Sequence, residues 1–229
     1  MKQALLTVRI GVLAVFLAAV VLPLLARGAD PGAMASQYAA NAKANAALTR
    51  QYIWQMRVEV TLKGEPKPAQ VYQMRFDVDG KLQKTLLTAP AEEKKTRGIR
   101  GRIKENKIEE FKEWAGKLAE LVKGYMAPTP GTMMDFYAKA AYSQSSDGKV
   151  MISSTSFIDK GDRATYWIDP ATQIPCRFEF QTVLEGDPVS ATVDFGQVQG
   201  GPQYTARLIV NVPAKKVSAK IENYNYLRQ

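Results

Sequence analysis

The sequence predicts an α+β protein: a long antiparallel sheet curled into an unclosed β-barrel of about nine strands, with about three helices covering its concave face. Two observations lead there. Through most of the chain apolar and polar residues alternate with a period of two, the pattern of strands with one covered and one wet face. That alternation gives way, near the start and again in the middle, to apolar residues at three- and four-residue spacing, as on one face of a helix.

Residues 1–29 read as a secretory signal peptide, and residues 30–229 as one β-domain with a helical section at about 102–141. Lys2 and Arg9 precede an apolar run from Ile10 to Leu25, no acidic residue occurs before Asp30, and the small residues Ala26, Gly28 and Ala29 follow. Cleavage there gives a periplasmic protein. The alternative is an uncleaved leader anchored in the inner membrane, since the run approaches the ~20 residues a spanning helix needs. Pro23 and the small residues beyond it favour cleavage, and no Cys follows the run to carry a lipid.

A first helix is expected over Met34–Leu48, where Ala, Tyr38 and Leu48 recur at helical spacing. The strand Tyr52–Leu62 sets Tyr52, Trp54, Met56, Val58, Val60 and Leu62 on one face, and Gly64–Pro68 breaks it. Tyr72, Met74, Phe76 and Val78 alternate in the next strand, Asp79-Gly80 supplies a hairpin turn, and a third strand over Lys81–Thr88 completes a meander. A basic, Gly-containing stretch leads into an amphipathic helix over Arg102–Met126 with Ile108, Phe111, Ala115, Leu118, Leu121, Val122 and Tyr125 in register. Pro128-Thr129-Pro130-Gly131 ends it, and a shorter helix follows over Thr132–Ala141. Strands are then expected at Lys149–Phe157, Arg163–Ile168, Ile174–Leu184, Val189–Val198, Gln203–Val212 and Lys215–Tyr226, separated by Gly-, Asp- and Pro-containing turns. Their covered faces include Cys176/Phe178/Phe180, Val189/Ala191/Val193/Phe195 and Tyr204/Ala206/Leu208/Val210/Val212.

The segment Tyr166-Trp167-Ile168-Asp169-Pro170-Ala171-Thr172-Gln173-Ile174-Pro175-Cys176-Arg177-Phe178-Glu179 resembles the Trp-Ile-Asp-Pro hairpin of the LolA-like and LolB-like superfamily, the outer-membrane lipoprotein-sorting type. The order of leader, helix, meander, helical section and hairpins is similar as well. The resemblance implies an unclosed barrel whose helices plug an apolar cavity. The basic Arg97–Arg102 stretch and the long helix after it depart from LolA itself, so the fold is carried over and the lipoprotein-carrier role is not; a separate exported branch is expected.

Chemistry-bearing residues are sparse. With no His, the commonest general base and metal ligand is missing, and no Ser-His-Asp or Cys-His arrangement exists. Cys176 is the one cysteine; it forms no internal disulfide, and beside Phe178 it reads as an inert thiol. Asp159, Asp162, Asp169 and Asp187 fall at turns whose local hydrogen bonds account for them, without the ligand spacing of a calcium loop. No catalytic residue, metal or cofactor is therefore expected, and the chain reads as a non-enzyme.

Two surfaces remain. Trp54, Met56, Val58, Tyr72, Met74 and Phe76, faced by Phe111, Trp114 and Leu118 of the long helix, form an aromatic and Met-rich wall. It is either packed core or the lining of a cavity for a lipid, an acylated protein or another amphipathic ligand. The basic Lys94, Lys95, Arg97, Arg100 and Arg102 either dock anionic headgroups or an acidic envelope protein, or form a solvated face among interspersed Glu residues. Leaving out the leader cations Lys2, Arg9 and Arg27 lowers the net charge from +9 to +6, which permits contact with an anionic membrane surface. Export makes nucleic acid an unsuitable partner, and a monomer is expected.

Overall fold

The period-two strands pair into one sheet around β1 (Tyr52–Leu62), which joins the two ends of the chain. On one side β1 pairs with β3 (Gln70–Phe76), which pairs with β4 (Leu82–Leu86). On the other it pairs with the last strand, β11 (Val217–Arg228). From there the sheet runs back through β10 (Gln203–Val212), β9 (Asp187–Gln197), β8 (Pro175–Leu184), β7 (Arg163–Ile168), β6 (Val150–Ser154) and β5 (Ala141–Gln144). The two-residue β2 (Glu65–Pro66) folds back on β1, making eleven strands among the described residues, all paired antiparallel. The edge strands β4 and β5 do not pair with each other, so the barrel is unclosed. A computed structural model describes residues 30–88, 99–172 and 174–229, with the backbone alone for residues 99–108. The leader and Lys94, Lys95 and Arg97 lie outside the described residues.

Three α-helices accompany the sheet among the described residues. α1 (Pro31–Thr49) begins three residues before its first apolar position because Asp30 caps it: the carboxylate accepts from the Gly32 and Ala33 N–H groups at 3.1 Å, and Pro31 opens the first turn. Its buried face carries Met34, Tyr38, Asn45 and Thr49, while Leu48, expected on that stripe, points outward. α2 (Ile99–Met126) is the long amphipathic helix. α3 (Pro130–Lys139) starts with a Thr129 cap on the Thr132 N–H at 3.1 Å. The chain then passes directly into β5, a strand the alternation did not signal because all four of its residues are exposed.

Three register shifts curl the sheet. They fall between Ile53 and Gln55 in the β1–β11 pair, between Thr205 and Arg207 in β9–β10, and between Trp167 and Ile168 in β7–β8. Because neighbouring strands run antiparallel, all three lie at the same end of the sheet, where each bulge adds bend and twist. They also correct the expected faces. Gln203 and Thr205 turn inward ahead of Leu208, Val210 and Val212, and Tyr204 and Ala206 do not. Pro175 is buried where Cys176 was expected; the Cys176 thiol is half-buried and donates to the Trp167 carbonyl at 3.4 Å.

α1 docks against this bulged end. The Asn45 side chain bonds the Gln203 backbone in both directions, donating to its carbonyl at 2.9 Å and accepting from its N–H at 2.8 Å. Nearby the Trp54 indole N–H donates to Asn223 at 3.1 Å, and Asn223 donates to the Thr205 carbonyl at 2.9 Å. Residues from the helices and from the sheet's inner face share one apolar cluster, crossed by stacked rings at 4.2 Å in the Tyr125–Phe180 and Tyr166–Phe178 pairs.

The outer face is a ladder of paired charges. Arg57 stands opposite Glu222, Glu222 opposite Arg207, Arg207 opposite Asp194, and Asp194 opposite Arg177. Asp194 accepts from Arg177 at 2.8 Å and from Arg207 at 2.6 Å, which suits a solvated surface.

Candidate functional site

α2 places Trp114, Ala115, Leu118, Ala119, Val122, Tyr125 and Met126 on one buried stripe, the spacing of a helix laid on a surface. Its C-terminal end is held hardest. Tyr125 and Met126 are fully buried, and the Tyr125 hydroxyl donates to Asp162 at 2.6 Å. The same carboxylate accepts from the N–H groups of Phe157 at 2.5 Å, Ile158 at 2.8 Å and Asp159 at 2.9 Å. Burial alone pushes the Asp162 carboxyl up, but the bonds from Tyr125 and these backbone groups outweigh it and hold it below its ordinary value. Asp162 thus closes the β6–β7 loop and pins α2 to it. Toward the other end the grip loosens: Glu109 and Glu110 are exposed and Phe111 is half-buried.

Between this helix and the sheet lies an apolar crevice. Its α2 wall is Phe111, Trp114, Ala115, Leu118, Ala119 and Val122. Its floor is Val60 and Leu62 of β1, Val217, Ala219 and Ile221 of β11, and Leu208 and Val210 of β10. Register explains the grouping, since Ala219 is opposite both Val60 and Val210, and Ile221 is opposite Leu208. Ala115, Ala119 and Ala219 are the small side chains of this lining, and short side chains leave space that longer ones would fill. It amounts to about 520 Å³ of atom-free space counted out to open solvent, and to about 40 Å³ in which the centre of a water molecule can stand. One water needs ~10–15 Å³ by the second measure, so α2 lies nearly closed on the sheet.

Of the wall proposed from sequence, Phe111, Trp114 and Leu118 line this crevice. Trp54, Met56, Val58, Tyr72, Met74 and Phe76 share the inward face of β1 and β3 but line no part of it. All six are buried except the half-buried Phe76, and Trp54 stacks on Tyr226 at 5.4 Å. The crevice sits further along the same face, where Val60 and Leu62 continue the alternation, at the end away from the bulges. Size-based reasoning passed over Ala119 and Ala219; small residues at inward positions of adjacent elements were the available signal. Arg100 and Arg102 belong to the first turns of α2. Among the described residues no three His, Cys, Asp or Glu side chains group as metal ligands, and no helix is long and apolar enough to cross a membrane.

The fold and site together define a class: an unclosed antiparallel half-barrel with one helix laid over an apolar crevice. The chain is similar to several solved structures. One is a LolA superfamily protein from Nitrosomonas europaea, at 12% identity and a TM-score of 0.36, covering 81% of this chain and 91% of that one. A DUF1329 family protein from Desulfovibrio piger is 8% identical with a TM-score of 0.37, covering 87% and 91%. A domain described as an outer membrane lipoprotein-sorting protein, from Vibrio parahaemolyticus, is 9% identical with a TM-score of 0.39, covering 82% and 90%. No protein-family model and no curated protein matches the sequence. Function is therefore drawn from the crevice itself.

Proposed function

We propose that this chain is an extracytoplasmic, non-enzymatic binding or carrier protein that seats the acyl chain of a lipid or an acylated protein beneath α2. One observation carries the reading: every described side chain lining the crevice is hydrocarbon apart from the indole of Trp114, and the helix covering it is fastened at its C-terminal end. Acyl burial gains ~0.8 kcal/mol per methylene, so a chain of ordinary length offsets the cost of parting α2 from the sheet ahead of its pinned C-terminal end. The leader in residues 1–29 supports an extracytoplasmic setting. The six remaining residues of the sequence-proposed wall, Trp54 to Phe76, then serve as the packed backing of the sheet.

Extraction of the purified protein followed by mass spectrometry is expected to recover acyl lipid at a fixed stoichiometry. Ala119→Phe, which fills the crevice, is expected to abolish that recovery while leaving circular dichroism unchanged. Equal recovery from the filled variant refutes the reading.

A further inference from the structure

Among the described residues that line the crevice, one side-chain polar atom is buried without a partner. Trp114 is more than nine-tenths buried, lines the crevice, and its indole N–H meets no acceptor. The buried Trp54 indole, by contrast, donates to Asn223 at 3.1 Å. An orphaned buried donor is costly, and a ligand that supplies an acceptor removes that cost. The lining also limits what the acceptor is. Among the described residues it contains Val, Leu, Ile, Ala, Phe and Trp alone, and none of these is a cation to balance a carboxylate taken out of water.

Resting on the reading of the crevice as an acyl site, we infer that Trp114 is its specificity-determining contact. Its N–H donates to the neutral carbonyl oxygen of an ester- or amide-linked acyl chain. The site therefore prefers such chains to free fatty acids and to alkyl chains that lack the carbonyl. A hydrogen bond to a formerly orphaned donor corresponds to a preference of about tenfold.

Three twelve-carbon probes separate these ligands: sucrose monododecanoate (ester), dodecyl maltoside (ether) and dodecanoate (anion), each titrated below its micelle concentration by calorimetry. The wild-type protein is expected to bind the ester about tenfold more tightly than either alternative. Trp114→Phe is expected to bring the ester-to-ether affinity ratio from about tenfold down to about one. The Trp114 indole ¹H–¹⁵N resonance of the wild-type protein should move downfield with the ester and not with the ether, a readout independent of how the variant folds. Equal ester and ether affinity in the wild-type protein, a preference that survives Trp114→Phe, or an indole resonance blind to the ester overturns the inference while acyl binding stands. Failure of all three probes to bind overturns both.

Discussion

Asp162→Asn tests how α2 is held. The carboxylate receives four donors, the Phe157 N–H on one oxygen and the Ile158 N–H, Asp159 N–H and Tyr125 hydroxyl on the other. An asparagine offers one oxygen. Its amide hydrogens then confront at least one backbone N–H, and the remaining bonds lose their charge. Charge-assisted bonds contribute ~1.5–3 kcal/mol each and neutral ones ~0.5–1.5. One bond lost and three weakened, less the relief of no longer burying a charge, comes to about 3 kcal/mol. With a urea slope of ~2–3 kcal/mol per molar, the unfolding midpoint should fall by about 1 M at neutral pH. The pH dependence has a definite sign. The folded carboxyl lies below its ordinary value of 3.8, so its stabilisation is present above that value and is lost as pH falls through the lower folded one. The gap between the wild-type protein and the variant should therefore close in acid. A neutral-pH shift below about 0.3 M, or a gap that persists at low pH, refutes the account of Asp162 as the pin.

Other sites give sharper contrasts. In Gly196→Ala the new Cβ would lie 2.8 Å from Cζ of Tyr204, whose ring covers the glycine across β9 and β10; displacing the ring should cost ~1–3 kcal/mol, read as a lower Tm. Asp194→Ala removes the carboxylate that Arg177 and Arg207 share on the outer face, yet both are exposed, so the loss should stay below ~1 kcal/mol at physiological salt and grow in low salt, measured by urea unfolding at both ionic strengths. Burial pushes Tyr38 up to about 12 and raises Tyr137, Tyr166 and Tyr226. Their contribution is complete below the ordinary phenol value of 10.0 and is lost as pH rises through the folded values, so urea midpoints should hold to about pH 10 and then fall together with the rise of phenolate absorbance.

Much of the fold was legible because its strands are half-buried. Arg163–Ile168 and Gln203–Val212 are strands with the bounds their alternation gives, and Tyr52–Leu62 is strand throughout. Alternation cannot register a bulge, which is why Tyr204 and Cys176 were placed on the wrong face and Gln203 and Pro175 were missed. It is silent about β5, whose four exposed residues have no covered face to alternate with. Helix starts needed the caps Asp30 and Thr129, one turn ahead of the apolar stripe.

The site was legible only in part, for a related reason. A cavity is made by what is missing, and a search for large aromatic side chains finds the packed half of the sheet at Trp54 and Met74. Trp114 was found through its helix. The alanines that keep the crevice from filling carry no chemical mark in sequence, and the pairing of Tyr125 with Asp162 spans 37 residues that no local pattern connects.

The chain carries three tryptophans, and the fold gives each a different surrounding. Trp114 is in the crevice wall, Trp54 is packed among side chains on the same inner face, and Trp167 alternates with the buried Tyr166 and Ile168 and so belongs to the outer face. Three variants, each keeping one tryptophan and replacing the other two by Phe, can be titrated with an acyl ester brominated along its chain, because bromine quenches indole fluorescence only at contact range. Binding beneath α2 predicts strong, saturable quenching of Trp114, little of Trp54 and none of Trp167. Quenching of Trp54 or Trp167 with Trp114 unaffected contradicts it.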